Sequence, residues 1–261
     1  MTNLSSSRGM NLKVFLDHKV DEYNSAGFIE NDPVSIPHTF TRKEDIEISG
    51  YLAATLSWGQ RITIIKNSRR LMGLMENSPY EFVTTSAEKE FSRFLVFVHR
   101  TFNGEDCIFI LQALRKLYME HEGMEAVFKQ GFETDKSMRS AITHFRSTLL
   151  LNPHLPRSAK HISDPIKGSA AKRLNMFLRW MIRKDEKGVD FGIWKNLSPV
   201  DLMCPLDVHS GRVARKLGLL ERKQDDWKSV EDLTANLRIF DAADPVKYDF
   251  ALFGLGVFEK F

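Results

Sequence analysis

Residues 169–184 read SAAKRLNMFLRWMIRK. Leu174, Phe177, Leu178 and Met181 recur there at i, i+3, i+4 and i+7, the spacing that lines up side chains on one face of a helix. The period predicts a helix over 169–184 whose apolar stripe faces a core. Lys172 falls on the opposite side with Arg179 and Arg183, where a lysine is ordinarily a solvated charge. The approach to this helix, Pro165-Ile-Lys167-Gly168-Ser-Ala-Ala-Lys172, is rich in small residues. Small residues let the backbone come close to another chain or ligand, and the first N–H groups of a helix are open donors for a phosphate.

The helical period extends along most of the chain. Thr41-Arg-Lys-Glu44 reads as a capping box before DIEISGYLAATLSW, and Ser78-Pro79-Tyr80-Glu81 combines an N-cap, a proline at the first helical position and the box glutamate. Ser198-Pro199 and Asp244-Pro245 repeat the cap and proline before DLM and KYDFALFGLGVF. Further helices are expected near 11–24, 60–76, 105–120, 135–150, 209–217 and 227–239, with Gly218 stopping the helix at 209–217. Almost nothing alternates as a strand does, so the expected class is all-α. The chain is read as one compact domain, 1–261, of two helical lobes with a cleft between. The lobes are 1–152 and 166–261, joined by the proline-bearing stretch 153–165. The polar string His99-Arg100-Thr101-Phe102-Asn103-Gly104 is expected to turn at Asn-Gly.

Composition narrows the class. In 261 residues, 43% apolar and 27% charged, there is enough apolar surface for a real core, which excludes a disordered or fibrous chain. Two cysteines, Cys107 and Cys204, are too few for a disulfide framework and too far apart for a C-x-x-C motif. A reducing cytoplasm is the expected compartment, and no stretch has the length or apolarity of a membrane span. The net charge of +3 hides an asymmetry: Arg157–Lys223 holds 15 Lys or Arg against 7 Asp or Glu, a net of +8, and the remainder, 22 against 27, is −5. A local excess of this kind suits a nucleic-acid face, and a pair of solvated amphipathic helices explains it equally well. The eight histidines show no H-x-x-x-H pairing and the acids no ligand spacing, so neither metal nor cofactor is expected.

Two strings carry a resemblance. Ile166-Lys167-Gly168-Ser169-Ala170-Ala171-Lys172 resembles the L-P-G-x-G-x-K hairpin of the helix-hairpin-helix DNA glycosylases, with Gly168 and Ala170 at the glycines and Lys172 at the lysine. Pro205-Leu206-Asp207-Val208-His209-Ser210-Gly211-Arg212-Val213 is similar to the same superfamily's V-D-x-H-x-x-R-V element, with Asp207 at its essential aspartate. Residues 48–70 look like the superfamily's first core helix, turn and following helix, so the likeness runs from about 43 to 256. Lys167 stands where the hairpin has proline and Ala170 where it has its second glycine. A gap of 35 residues separates Lys172 from Asp207, a length that resembles the archaeal 8-oxoguanine glycosylase branch. With two cysteines, the four-cysteine iron–sulfur cluster of the endonuclease III type cannot form. The chain is also similar to an uncharacterised bacterial family built around PLDVHSGRVARKLGLL.

The resemblance implies a helix-hairpin-helix fold and a base-excision repair glycosylase with lyase activity on double-stranded DNA containing an oxidised purine such as 8-oxoguanine. Lys172 would be the nucleophile and Asp207 the carboxylate that stabilises the cationic sugar. Arg173, Arg179 and Lys167 would be its cationic neighbours. Lys167, Gly168, Ser169, Ala170, Arg173 and His209 would meet the DNA, Gln60 and Arg61 would fill the gap in the duplex, and Trp58, Phe250 and Phe253 would line the base pocket. On residue type alone, Asp207 before a helix is an N-cap and the aromatics are core side chains. The alternative function is a non-catalytic DNA- or RNA-binding protein that grips the phosphate backbone.

Overall fold

The computed structural model describes residues 7–261. Twelve α-helices form among them: α1 (Ser7–Tyr23), α2 (Ala26–Glu30), α3 (Lys43–Leu56), α4 (Arg61–Leu74), α5 (Pro79–Thr85), α6 (Gly104–Glu120), α7 (Met124–Glu133), α8 (Met138–Leu150), α9 (Lys172–Ile182), α10 (Val208–Lys216), α11 (Trp227–Phe240) and α12 (Tyr248–Val257). Two-residue strands β1 (Val98–His99) and β2 (Phe102–Asn103) make one antiparallel pair. The all-α class is correct. No helix among the described residues is long and apolar enough to cross a membrane.

The chain divides into two units. Of the described residues, those from Ser7 to Phe28 join Pro165–Phe261 in one, and Ile29–Asp164 form the other. In the first unit α1 and α10 both pack on α12. Two glycines of α12 set how closely they approach. A Cβ on Gly254 would enter the Tyr23 ring of α1, and one on Gly256 would lie 3.2 Å from the His209 carbonyl of α10. In the second unit α7 packs on α8 at Gly131, where a Cβ would stand 2.9 Å from Ala141 Cα.

Several start signals work differently from the sequence expectation. Thr41 and Glu44 form no capping box: α3 begins after Arg42, whose side chain makes no cap. Ser78 does not cap α5 either, because Asp45 from α3 accepts the Tyr80 N–H at 2.8 Å. One carboxylate thereby ties the heads of two helices. Gly218 stops α10 as expected, with a left-handed φ of +72°. Its N–H donates to Arg215 O at 3.1 Å and Leu219 N–H donates to Ala214 O at 2.8 Å, the paired bonds of a Schellman end. The string at His99–Gly104 turns at Arg100 and Thr101, not at Asn-Gly. Asn103 instead caps α6 by accepting the Asp106 N–H at 3.1 Å, and Asp106 returns the bond from Asn103 N–H at 3.0 Å. The α6 cap outcompetes a turn because it satisfies two donors at once.

The helix of the opening stretch starts at Lys172, three residues later than its period suggests, because Ala171 sits in the left-handed region at φ +47°. Its amphipathic reading is also corrected. Arg179 and Arg183 are each 3% exposed, not solvated opposite the stripe. Arg179 pairs with Asp190 at 3.2 Å and with Asp249, and Arg183 pairs with Asp190 at 3.0 Å and with Asp185 and Asp244 at 2.8 Å. A helix carrying two arginines on its expected polar side is thus buried nearly all round, the arginines neutralised by carboxylates.

A candidate lysine and carboxylate site

Two helix starts in the first unit carry the site. Upstream of Lys172, Gly168 N–H donates to Pro165 O at 3.1 Å, closing a turn in which Gly168 takes φ +87°. The turn is held to the head of α11, where Trp227 N–H donates to Gly168 O at 3.1 Å and Ser169 bridges Asp226. Arg222 draws the Asp226 carboxyl well below the usual range. Ala171 N–H donates to Ser169 Oγ at 3.2 Å, and Asn175 Nδ2 donates to Ala170 O at 3.1 Å, so side chains satisfy the backbone on both sides of the bend. Lys172 leaves the bend as the first residue of α9.

The second start is Asp207. It caps α10, Oδ1 accepting His209 N–H at 2.9 Å and Ser210 N–H at 3.1 Å, while Ser210 Oγ accepts Asp207 N–H at 2.9 Å. Two backbone bonds to Oδ1 fix the carboxylate, and Oδ2 faces Lys172. Lys172 Nζ lies 3.8 Å from that Oδ2 and 3.4 Å from Met176 Sδ. The side chains are 25% and 31% exposed, so both remain open to a ligand. The structure therefore brings together two residues 35 positions apart in sequence.

Beneath them lies Asp249, in the first turn of α12 and 7% exposed. Burial pushes its carboxyl up to about 6 against the pull of Arg179 and Lys172, with Asp207 and Asp190 adding to the rise. Sequence reading passed over it, although a carboxylate inside KYDFALFGLGVF was a signal that it must have a buried partner. Arg179, expected as a cation near Lys172, is instead neutralised by Asp249 and Asp190.

The other candidates fall in different settings. Lys167 and Gly168 are exposed, Ser169, Ala170 and Arg173 half-buried, and His209 exposed on the first turn of α10. Phe250 is fully buried, 4.2 Å beneath the Arg179 guanidinium and edge-on to Phe28 at 5.3 Å. Phe253 packs edge-on to the same Phe28 at 5.7 Å. Trp58, Gln60 and Arg61 belong to the other unit. There Arg100 covers Trp58 at 4.6 Å, Gln60 is the exposed N-cap of α4, and Arg61 is its first residue. The +8 stretch is partly offset, since Arg183, Arg179, Arg215 and Arg222 pair with Asp244, Asp249, Asp225 and Asp226, all beyond its end. Among the described residues no three His, Cys, Asp or Glu are grouped so as to hold a metal ion.

Fold and site together define a mostly helical protein that presents an amine and a carboxylate at the starts of two helices. Its residues 32–258 match the family described as protein of unknown function (DUF2400), and the chain belongs to that family. No curated protein and no solved structure matches it. The family match overturns the resemblance to the helix-hairpin-helix DNA glycosylases and to their archaeal branch. Both strings on which that resemblance stood, Ile166–Lys172 and Pro205–Val213, lie inside the matched span of a different family.

Proposed function

We propose that Lys172 and Asp207 act on the anomeric carbon of a damaged nucleotide in double-stranded DNA, releasing an oxidised purine such as 8-oxoguanine through a lysine Schiff base. The observation that carries this reading is the 3.8 Å separation of Lys172 Nζ and Asp207 Oδ2 on two partly open helix starts. In it the Lys172 amine attacks C1′ and the C1′–N bond breaks. The base departs with the bonding electrons and takes up a proton. The sugar ring then opens to an imine on Lys172; loss of a C2′ proton breaks the C3′–O bond and frees the 3′ phosphate, and water hydrolyses the imine. Asp207 stabilises the positive charge that develops at C1′, and its two backbone bonds hold it ready without reorganisation. Lys167 and Arg173, flanking Lys172, would take the neighbouring phosphates, together with Gly168, Ser169, Ala170 and His209.

Borohydride trapping on a duplex containing 8-oxoguanine or an abasic site tests the reading. Wild type is expected to give a covalent adduct that Lys172→Gln abolishes and Asp207→Asn strongly reduces. No adduct and no base release on a panel of lesions, with duplex binding intact, would overturn it and leave phosphate-backbone binding as the role of this surface.

A further inference from the structure

We propose that the groove along α4, in the Ile29–Asp164 unit, binds a nucleoside monophosphate, with its phosphate on Lys66 and Arg69 and its base against Phe40 and Met72. The helix carries Arg61, Lys66, Arg69 and Arg70 and no carboxylate. Ile62, Lys66 and Arg69 follow one another at i, i+4 and i+7, so they share a face. Arg70 is engaged, donating to Val96 O at 3.0 Å. Lys66 and Arg69 have no hydrogen bond or ion pair among the described residues.

Arg69 borders two concavities. One, of about 460 Å³, is lined by Ile36, Thr39, Phe40, Met72 and Asn77, and the other, of about 340 Å³, by Glu30, Ile62, Ile65 and Lys66. Each falls in the size range of small-ligand sites, roughly 300–1,000 Å³. The first has an apolar wall of Ile36, Phe40 and Met72 together with the Asn77 amide, held at the lip by a left-handed backbone at φ +53°. Thr39 Oγ1 donates to Ile36 O at 2.7 Å, which leaves its oxygen to accept.

These features select the ligand. Two unpaired cations three residues apart call for a dianionic group, the apolar wall for a flat hydrophobic body, and Asn77 for a partner with both donors and acceptors. A nucleobase joined to a phosphate meets all three. An acyl chain would leave the Asn77 amide and Thr39 oxygen facing hydrocarbon, a penalty it cannot offset. Glu30 lines the same concavity as Lys66 and Arg69, and its negative charge disfavours the further charge of a polyphosphate tail. Neither Lys172 nor Asp207 contributes, so this site stands or falls independently of the chemistry proposed above.

The test is calorimetric titration of the full-length protein with 5′-mononucleotides, beside the free nucleosides and inorganic phosphate. A mononucleotide should bind tighter than either fragment, Lys66→Gln with Arg69→Gln should weaken it by about tenfold or more, and Asn77→Ala should alter the ranking of bases. Circular dichroism and borohydride trapping should be unchanged in these variants. Phosphate alone binding as well as a nucleotide, equal affinity in the double variant, a fatty acid binding in preference, or no mononucleotide binding at millimolar concentration would each overturn the proposal.

Discussion

The Arg179 guanidinium pairs with the Asp249 carboxylate inside the core, beneath the contact of Lys172 with Asp207. The pair couples the interior to the site, and it makes stability depend on pH. Burial raises Asp249 from 3.8 to about 6, so the native state holds its proton more tightly than the unfolded chain does. Its contribution is therefore fully present below about pH 4 and is lost as pH rises through 6, by roughly 3 kcal/mol in all. Asp249→Asn mimics the protonated form. Denaturation across pH 4–7 should show wild type losing stability relative to this variant as pH rises. A difference that stays constant with pH would show that Asp249 keeps an ordinary acidity.

Arg179 itself is expected to be far less tolerant. Arg179→Met removes the partner of the buried Asp249 and leaves that carboxylate uncompensated, whereas Asp190 keeps Arg183 at 3.0 Å. Breaking one side of a buried pair costs about 3–5 kcal/mol. Urea denaturation at neutral pH should register a loss of that order, with partial recovery at acid pH as Asp249 takes up its proton. Full stability at pH 7 would contradict the burial of this pair.

How much of this was readable in advance depends on the distance over which each feature is encoded. The helices were legible because a period of about 3.6 residues is a local signal. Asp207 was legible as a cap for the same reason: the capping residue and Ser210 are three apart. The burial of Arg179 and Arg183 was not. Their partners Asp190, Asp244 and Asp249 lie up to 70 positions away, and a count of polar residues along one helix assigns an arginine to the solvent whether or not a carboxylate meets it. Helix α7 escaped notice because Gly131 weakens its intrinsic propensity, and only the close approach of Ala141 on α8 explains why a glycine stands there. The approach of Lys172 to Asp207, at 3.8 Å across 35 positions, is set by the tertiary fold, which no spacing in the sequence expresses.

Two glycines give opposite kinds of constraint. A Cβ on Gly168 would meet nothing within 4 Å, so Gly168→Ala should cost only the strain of its φ of +87°, roughly 1–2 kcal/mol. A Cβ on Gly104 would lie 2.5 Å from Leu95 Cα and Phe94 O, and this backbone cannot swing aside as a side chain would. Gly104→Ala is expected to cost more, about 3 kcal/mol or above, through overpacking at the head of α6. Thermal denaturation of both variants checks the ranking, and equal losses would contradict the separation of strain from steric exclusion.

Asp207 has two tasks, and two substitutions separate them. As an N-cap it accepts two backbone N–H bonds through Oδ1, and the amide oxygen of an asparagine put in its place can accept the same bonds. Asp207→Asn should therefore leave stability within about 0.5 kcal/mol of wild type, whereas Asp207→Ala should lose about 1 kcal/mol with the cap. The charge behaves differently. Both substitutions remove the anion that faces Lys172 at 3.8 Å, so both should lose imine trapping to a similar extent despite their unequal stabilities. If trapping follows stability instead, with the Asp207→Asn variant fully active, the role of Asp207 is confined to the start of α10 and the carboxylate takes no part in chemistry at Lys172.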